Sequence, residues 1–154
     1  MKEDVSRKLV KDIFPNEIWE YVHGVYVAKT RKAYSEKSKN AKQIFEKEMD
    51  TAKILVKNGC SVWLLPENRA NMKNPDAVVD GLIYDFKQVK FSRVEHGFLE
   101  GLRQAKNVVI RLNGDFSVRR IFGKLKSHFH NRDGRLIIIL NKKIYSVNLG
   151  DRRQ

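Results

Sequence analysis

Two aspartates and a lysine stand at a spacing that suits phosphodiester chemistry: Asp76, Asp85 and Lys87, on either side of an Asp80-Gly81 dipeptide. Asp-Gly between two β-rich runs predicts a two-residue hairpin, because such a turn needs positive φ at both central positions. In that register Val79 pairs with Leu82, Val78 with Ile83, Ala77 with Tyr84 and Asp76 with Asp85. The two carboxylates would then stand opposite each other with Cβ atoms about 4.5 to 5.5 Å apart, where like charges destabilise unless a cation or a proton compensates. Side chains two apart on a strand point the same way, so Lys87 joins Asp85. The rest of that face, Val78, Ile83 and Val89, is apolar, and a divalent metal on hard carboxylate oxygens is the usual physical compensation. The competing reading is a surface ion cluster around Lys87. The opposite face, Ala77, Val79, Leu82, Tyr84 and Phe86, reads as core. A metal would lower the pKa of a bound water and offset charge on the phosphate, and Lys87 would orient that water and stabilise the developing negative charge.

The elements that must position these groups follow from periodicity. Ile44, Phe45, Met49, Ala52, Leu55 and Val56 repeat at helical spacing from Asn40, and Asn58-Gly59 supplies a stop. Glu48 falls on that core-facing stripe, four residues from Ile44 and from Ala52, and is either a third carboxylate of the site or a boundary residue. Glu46 lies about 160° around the helix from it, and Glu67 after Leu64-Leu65-Pro66 is a further candidate. Val62 to Leu65 predicts a strand, an Asn-rich loop runs to Asn74, and the hairpin follows. Phe98, Leu102 and Ala105 mark a helix, Val108 to Leu112 a strand, Val118 to Phe129 a helix, and Leu136 to Leu140 with Ile144 to Val147 a terminal hairpin. The order from Asn40 is α-β-β-β-α-β-α-β-β. The expected fold class is α/β (α+β), a central mixed sheet with flanking helices.

Residues 1–39 are expected as a basic N-terminal helical or linker segment and 40–150 as the domain that carries the chemistry. Val5 to Ile13 could form a short helix. The six Lys or Arg from Lys29 to Lys42 read equally as a solvated helix face or a flexible arm.

Lys and Arg total 31 against 18 acidic residues, a formal charge of +13. That excess repels itself unless an anion neutralises it, and nucleic acid is the obvious partner. A membrane surface would want a basic amphipathic helix or a lipidation signal, and neither is evident. Lys90, Arg93, His96, Arg103, Lys106, Arg119, Arg120 and Lys124 are candidate phosphate contacts, adding salt-dependent affinity without reading bases. The single Cys60 excludes an intramolecular disulfide and a Cys-rich zinc module. No apolar signal-peptide core opens the chain and no run approaches a membrane span, which suggests work in water in a reducing compartment.

Pro75-Asp76 followed by Asp85-Phe86-Lys87, within the order α-β-β-β-α-β from Asn40 to Leu112, resembles the PD-(D/E)xK nuclease superfamily. Glu48-x3-Ala52 leading to Asn58-Gly59, Leu64-Leu65-Pro66-Glu67, Asn74-Pro75-Asp76 and Gln104 to Val109 look most like nuclease domains at the C-terminal ends of contact-dependent growth inhibition toxins and related mobile-element proteins. The likeness spans about two thirds of the chain, from Asn40 on. It implies hydrolysis of RNA or DNA, with Glu48, Asp76 and Asp85 as metal-facing carboxylates and Lys87 as the catalytic lysine. It further implies a divalent cation, Mg2+ before Mn2+ or Zn2+, delivery into target cells as part of a larger secreted protein, and an immunity protein as partner. tRNA is slightly favoured as substrate.

His128-Phe129-His130 is a poor metal site, since residues two apart on a helix face different ways. Gly114 to Lys124 lacks the glycine spacing and hydroxyl of a phosphate loop. The alternatives to a metal nuclease are a nucleic-acid-binding module that does not cleave, and a metal-independent ribonuclease in which His96 would take part.

Overall fold

The structure, a computed structural model, describes residues 2–67 and 74–150; most of the loop expected before Asn74 lies outside them. Among the described residues there are five α-helices and eight strands. The chain divides into two compact units with the boundary between Ile83 and Tyr84.

The first unit runs α1 (Lys2–Ile13), β1 (Trp19–Val22), β2 (Val25–Ala28), α2 (Lys29–Ser35), α3 (Lys39–Lys57), β3 (Val62–Leu64) and β4 (Ala77–Val79). Its strands lie in the order β1-β2-β3-β4. β1 and β2 are antiparallel, β2 and β3 parallel, β3 and β4 antiparallel with Trp63 opposite Val78. A parallel step requires a long crossover, and α2 with α3 supplies it. The side chain of Ser38 caps α3, accepting the Ala41 N–H at 3.0 Å, and Gly59 at φ 91° ends it. Trp63, Leu65 and Val78 form one apolar face with Val10 of α1. Strand alternation turns Val62, Leu64, Ala77 and Val79 to the other side, where α3 packs on β2 and β3. Coverage on both faces explains why all of β4 is buried, where an alternating burial pattern would mark a half-exposed strand.

Asp80 and Gly81 adopt φ of 48° and 84°, the two-residue turn that their types predict. α1 seats on it. Buried Ser6 accepts the Gly81 N–H at 2.8 Å, and a Cβ on Gly81 would lie 2.7 Å from Val5.

The second unit holds β5 (Leu82–Gln88, whose first two residues belong to the first unit), α4 (Val94–Gln104), β6 (Asn107–Leu112), α5 (Val118–Leu125), β7 (Arg135–Leu140) and β8 (Lys143–Asn148). β5, β6 and β7 are mutually parallel, through α4 and then α5, and β8 returns antiparallel to β7. Phe98, Ile110, Ile121, Leu125 and Ile138 centre its core. Gly97 and Gly101 let α4 close on the sheet, since a Cβ there would meet Val89 at 2.7 Å and Val108 at 2.8 Å.

The element order expected from Asn40 is the order observed, as a mixed α+β fold. Two core assignments need correction. Ile44 is 50% exposed because the buried face of α3 is Met49, Thr51, Ala52 and Leu55, and Leu82 is 42% exposed at the start of β5. In the first third, Trp19 and Tyr21 fall on a strand, and His23-Gly24 at φ of 53° and 83° makes the β1–β2 turn.

Replacing Ser6 by Ala removes the acceptor for the Gly81 N–H. We expect a loss of roughly 1–3 kcal/mol, read as a lower urea midpoint at unchanged m-value.

Candidate functional site

The first unit gathers three acidic side chains around one guanidinium. Arg31, on α2, is 2% exposed and donates through Nη1 to the Leu65 carbonyl at 2.7 Å. Its Nη2 binds Glu48 Oε2 of α3 and lies 3.2 Å from Asp76 Oδ1, just before β4. Glu67 Oε1, past the end of β3, stands 3.9 Å from Nη1. Backbone geometry fixes these positions. The Leu65 N–H donates to the Asp76 carbonyl at 2.9 Å, and the Asp80 N–H to Ser61 at 3.0 Å, so the β3–β4 ladder runs on past both strand ends.

Burial opposes the charge of Arg31, but Glu48 and then Asp76 more than restore it, and its pKa lies above the ordinary value. Glu48 is pushed up to about 8, first by burial, with the Arg31 charge pulling the other way and a hydrogen bond and charge from Asp76 pushing further up. One guanidinium therefore does not hold both carboxylates fully ionised at neutral pH. A cleft of about 210 Å3 opens beside Glu48, lined also by Arg31, Tyr34, Ser35, Ser38 and Glu67.

In the second unit Asp85 is 3% exposed on β5, and Lys87 Nζ lies 3.4 Å from its Oδ2. Gly101 of α4 leaves the room this carboxylate needs, for a Cβ there would stand 3.3 Å from Asp85 Oδ2. Lys90, Arg93, His96, Arg103, Lys106, Arg119, Arg120 and Lys124 are all exposed. Arg120 and Lys124 converge over the Phe91 ring at 4.9 and 4.4 Å, Lys106 pairs with Asp133 at 3.3 Å, and His96 with Glu100 at 3.5 Å. Glu46 is exposed on α3, and His128 contacts Glu95.

Arg31 is the residue that sequence reasoning missed. It sits in the basic run, but Val25-Tyr26-Val27-Ala28 leads straight into it, so the first turn after that strand could be expected to face the sheet.

The donor chemistry suits a hard divalent cation in part. Glu48 and Asp76 supply carboxylate oxygens to one point, and Mg2+ is commonly held by one or two carboxylates with waters and substrate phosphates. Among the described residues no group of three or more His, Cys, Asp or Glu is drawn together tightly enough to chelate an ion by itself.

With the fold a mixed α+β arrangement and the carboxylates placed, comparison with known proteins sharpens the class. Residues 73–144, somewhat less than half of the chain, match the family described as contact-dependent growth inhibition CdiA C-terminal domain. That stretch holds Asp76, Asp85, Lys87 and the eight basic residues, but neither Arg31 nor Glu48. The structure is similar to a chain of the CdiA-CT/CdiI toxin and immunity complex from Burkholderia pseudomallei, with a TM-score of 0.57, 20% identity, and coverage of 73% of this chain and 90% of that one. At that identity the likeness is one of fold. No curated protein matches the chain. Among the described residues no helix is long and apolar enough to cross a membrane.

Two predictions follow from the Arg31 cluster. A carboxyl with a raised folded-state pKa binds more protons folded than unfolded, so its stabilising contribution is present below about 4.5 and lost as pH rises through about 8. In EDTA the urea midpoint should fall more between pH 5 and 9 for the wild type than for Glu48→Gln; equal falls would contradict this. Arg31→Met strands buried carboxylates without their cation and should cost about 3–5 kcal/mol in EDTA, with partial recovery on adding Mg2+.

Proposed function

We propose that this chain is a metal-dependent endonuclease acting as a bacterial toxin effector, with RNA, tRNA first, favoured over DNA. The observation that carries the reading is the convergence of Glu48 and Asp76, two half-buried carboxylates that meet at one guanidinium beside an open cleft. The cleft beside Glu48, with Glu67 on its wall, leaves room and a further oxygen donor for an ion, whose binding would release the proton that burial favours on Glu48.

Glu48, Asp76 and, by its place in the sequence motif, Asp85 would hold Mg2+, with Mn2+ or Zn2+ as alternatives. When bound, such an ion supplies a water of lowered pKa and neutralises charge on the phosphate. Lys87, beside Asp85, would donate hydrogen bonds toward the attacked phosphate and orient the nucleophile. Arg31 is a positioning residue: it holds the Glu48 and Asp76 carboxylates together, itself tied to the Leu65 carbonyl. The exposed basic residues hold the nucleic-acid backbone, in keeping with a net charge of +13. The match of residues 73–144 and the fold likeness to a chain of a toxin and immunity complex support two further parts of the reading. These are delivery into target cells within a larger protein, and neutralisation by an immunity partner.

A second reading, a nucleic-acid-binding module that does not cleave, is favoured by one observation, that Arg31 lies where a cation would sit. Incubating the chain with tRNA and with duplex DNA, in Mg2+ and in EDTA, separates the two. Cleavage in Mg2+ alone is expected, falling by about 100-fold or more in Asp85→Asn and Lys87→Ala. Cleavage that persists in EDTA would exclude the metal mechanism, and binding without cleavage in any divalent ion would favour the module.

A further inference from the structure

The first unit carries a second feature, unrelated to its carboxylates. A groove of about 300 Å3, at the lower end of the range for ligand pockets, about 300–1,000 Å3, is lined by Arg7, Lys11, Trp19, Tyr21, Tyr26 and Trp63. The rings form a graded stack. Tyr26 lies parallel to Trp63 at 4.0 Å and 11°, Trp19 meets Trp63 edge-on at 5.1 Å, and Tyr21 leans on Tyr26 at 4.6 Å. Trp63 is buried at the floor, whereas Tyr21 at the mouth is 66% exposed, so the stack ends on an open aromatic face.

The charges around it are of two kinds. Arg7 is committed, its guanidinium over the Tyr26 and Trp63 rings at 5.4 and 5.3 Å and bonded to Glu3 and the Tyr26 hydroxyl. Glu17, the acidic residue of the wall, is occupied by the N–H and hydroxyl of Thr30 at 3.0 and 2.8 Å. Lys11 has no acidic partner among the described residues, so it is available to a ligand.

We propose that this groove is a stacking site for an unpaired base of a single-stranded nucleic acid, with Lys11 on the adjoining phosphate. A flat π-face stacks on the exposed Tyr21 ring, which is tilted 50° against the Tyr26–Trp63 pair beneath it, and base–aromatic stacking tolerates any base. A phosphate completes the lysine. An acidic peptide would satisfy Lys11 but leave the open ring face uncovered. The inference rests on the nucleic-acid part of the proposed function and needs none of the cleavage chemistry. It gives the chain a preference for substrates with a single-stranded segment.

The chain has two tryptophans, and both lie at this groove, so intrinsic fluorescence reports its occupation. The test is a titration of the full chain in EDTA with an eight-nucleotide single-stranded RNA, its abasic counterpart and poly-glutamate. The base-bearing RNA should quench the tryptophans. Tyr21→Ala should weaken its binding about 5- to 150-fold while Tyr21→Phe retains it, and Lys11→Ala should lower the logarithmic salt slope by about 0.7. Equal binding of the abasic strand, unchanged affinity in Tyr21→Ala, or quenching by poly-glutamate at equal affinity would each overturn the proposal. Loss of cleavage in the nuclease assay would leave this result standing, and failure here would leave the nuclease reading standing.

Discussion

A guanidinium can be enclosed in protein only if anions meet it at close range and its N–H groups are satisfied, because the desolvation cost of an isolated buried charge amounts to several kcal/mol. Arg31 meets the first of these by drawing Glu48 and Asp76 to its Nη2 and satisfies Nη1 on the Leu65 carbonyl, while its buried Nε has no hydrogen-bond partner among the described residues. Those groups come from the middle of α3, the end of β3 and the approach to β4, so one charge fixes where three separate segments converge. The cluster is therefore the anchor of the first unit. Under the proposed function it has a second role that conflicts with the first, since a cation built into the fold stands where a catalytic ion would stand. The raised pKa of Glu48 comes first from its burial, with Arg31 pulling it down and Asp76 pushing it further up.

Much of this was legible in the chain. The Asp80-Gly81 turn could be read from residue types alone, because few pairs tolerate positive φ twice, and so could the ends of α3 from Asn58-Gly59. The helix and strand order from Asn40 followed from periodicities that burial enforces. What could not be read is tertiary. Arg31 is indistinguishable by composition from the exposed lysines around it, and only the docking of α2 behind β2 decides that it goes inside. Leu82 and Ile44 look like core residues by period, yet lie where no neighbouring element covers them. For the site, Glu48 was legible as a carboxylate on an apolar stripe, while its guanidinium partner was not.

The second unit keeps its charged pair differently. Asp85 is buried, Lys87 is partly exposed beside it, and the absence of a side chain at Gly101 makes room for the carboxylate under α4. Glycine there is a packing requirement, whereas at Gly81 both the positive φ and the approach of Val5 require it. Both adjoin the hairpin motif, and neither requirement shows in the glycine content of the chain.

The bond from Gly81 to Ser6 spans 75 positions of sequence. A loop of that length closes late, because the entropy of bringing its ends together must be met before the contact returns anything. The seat of α1 on the turn is thus a contact that forms only where residues 6 and 81 are both free to meet, so any passage that keeps the two segments apart would leave the Gly81 N–H without its acceptor.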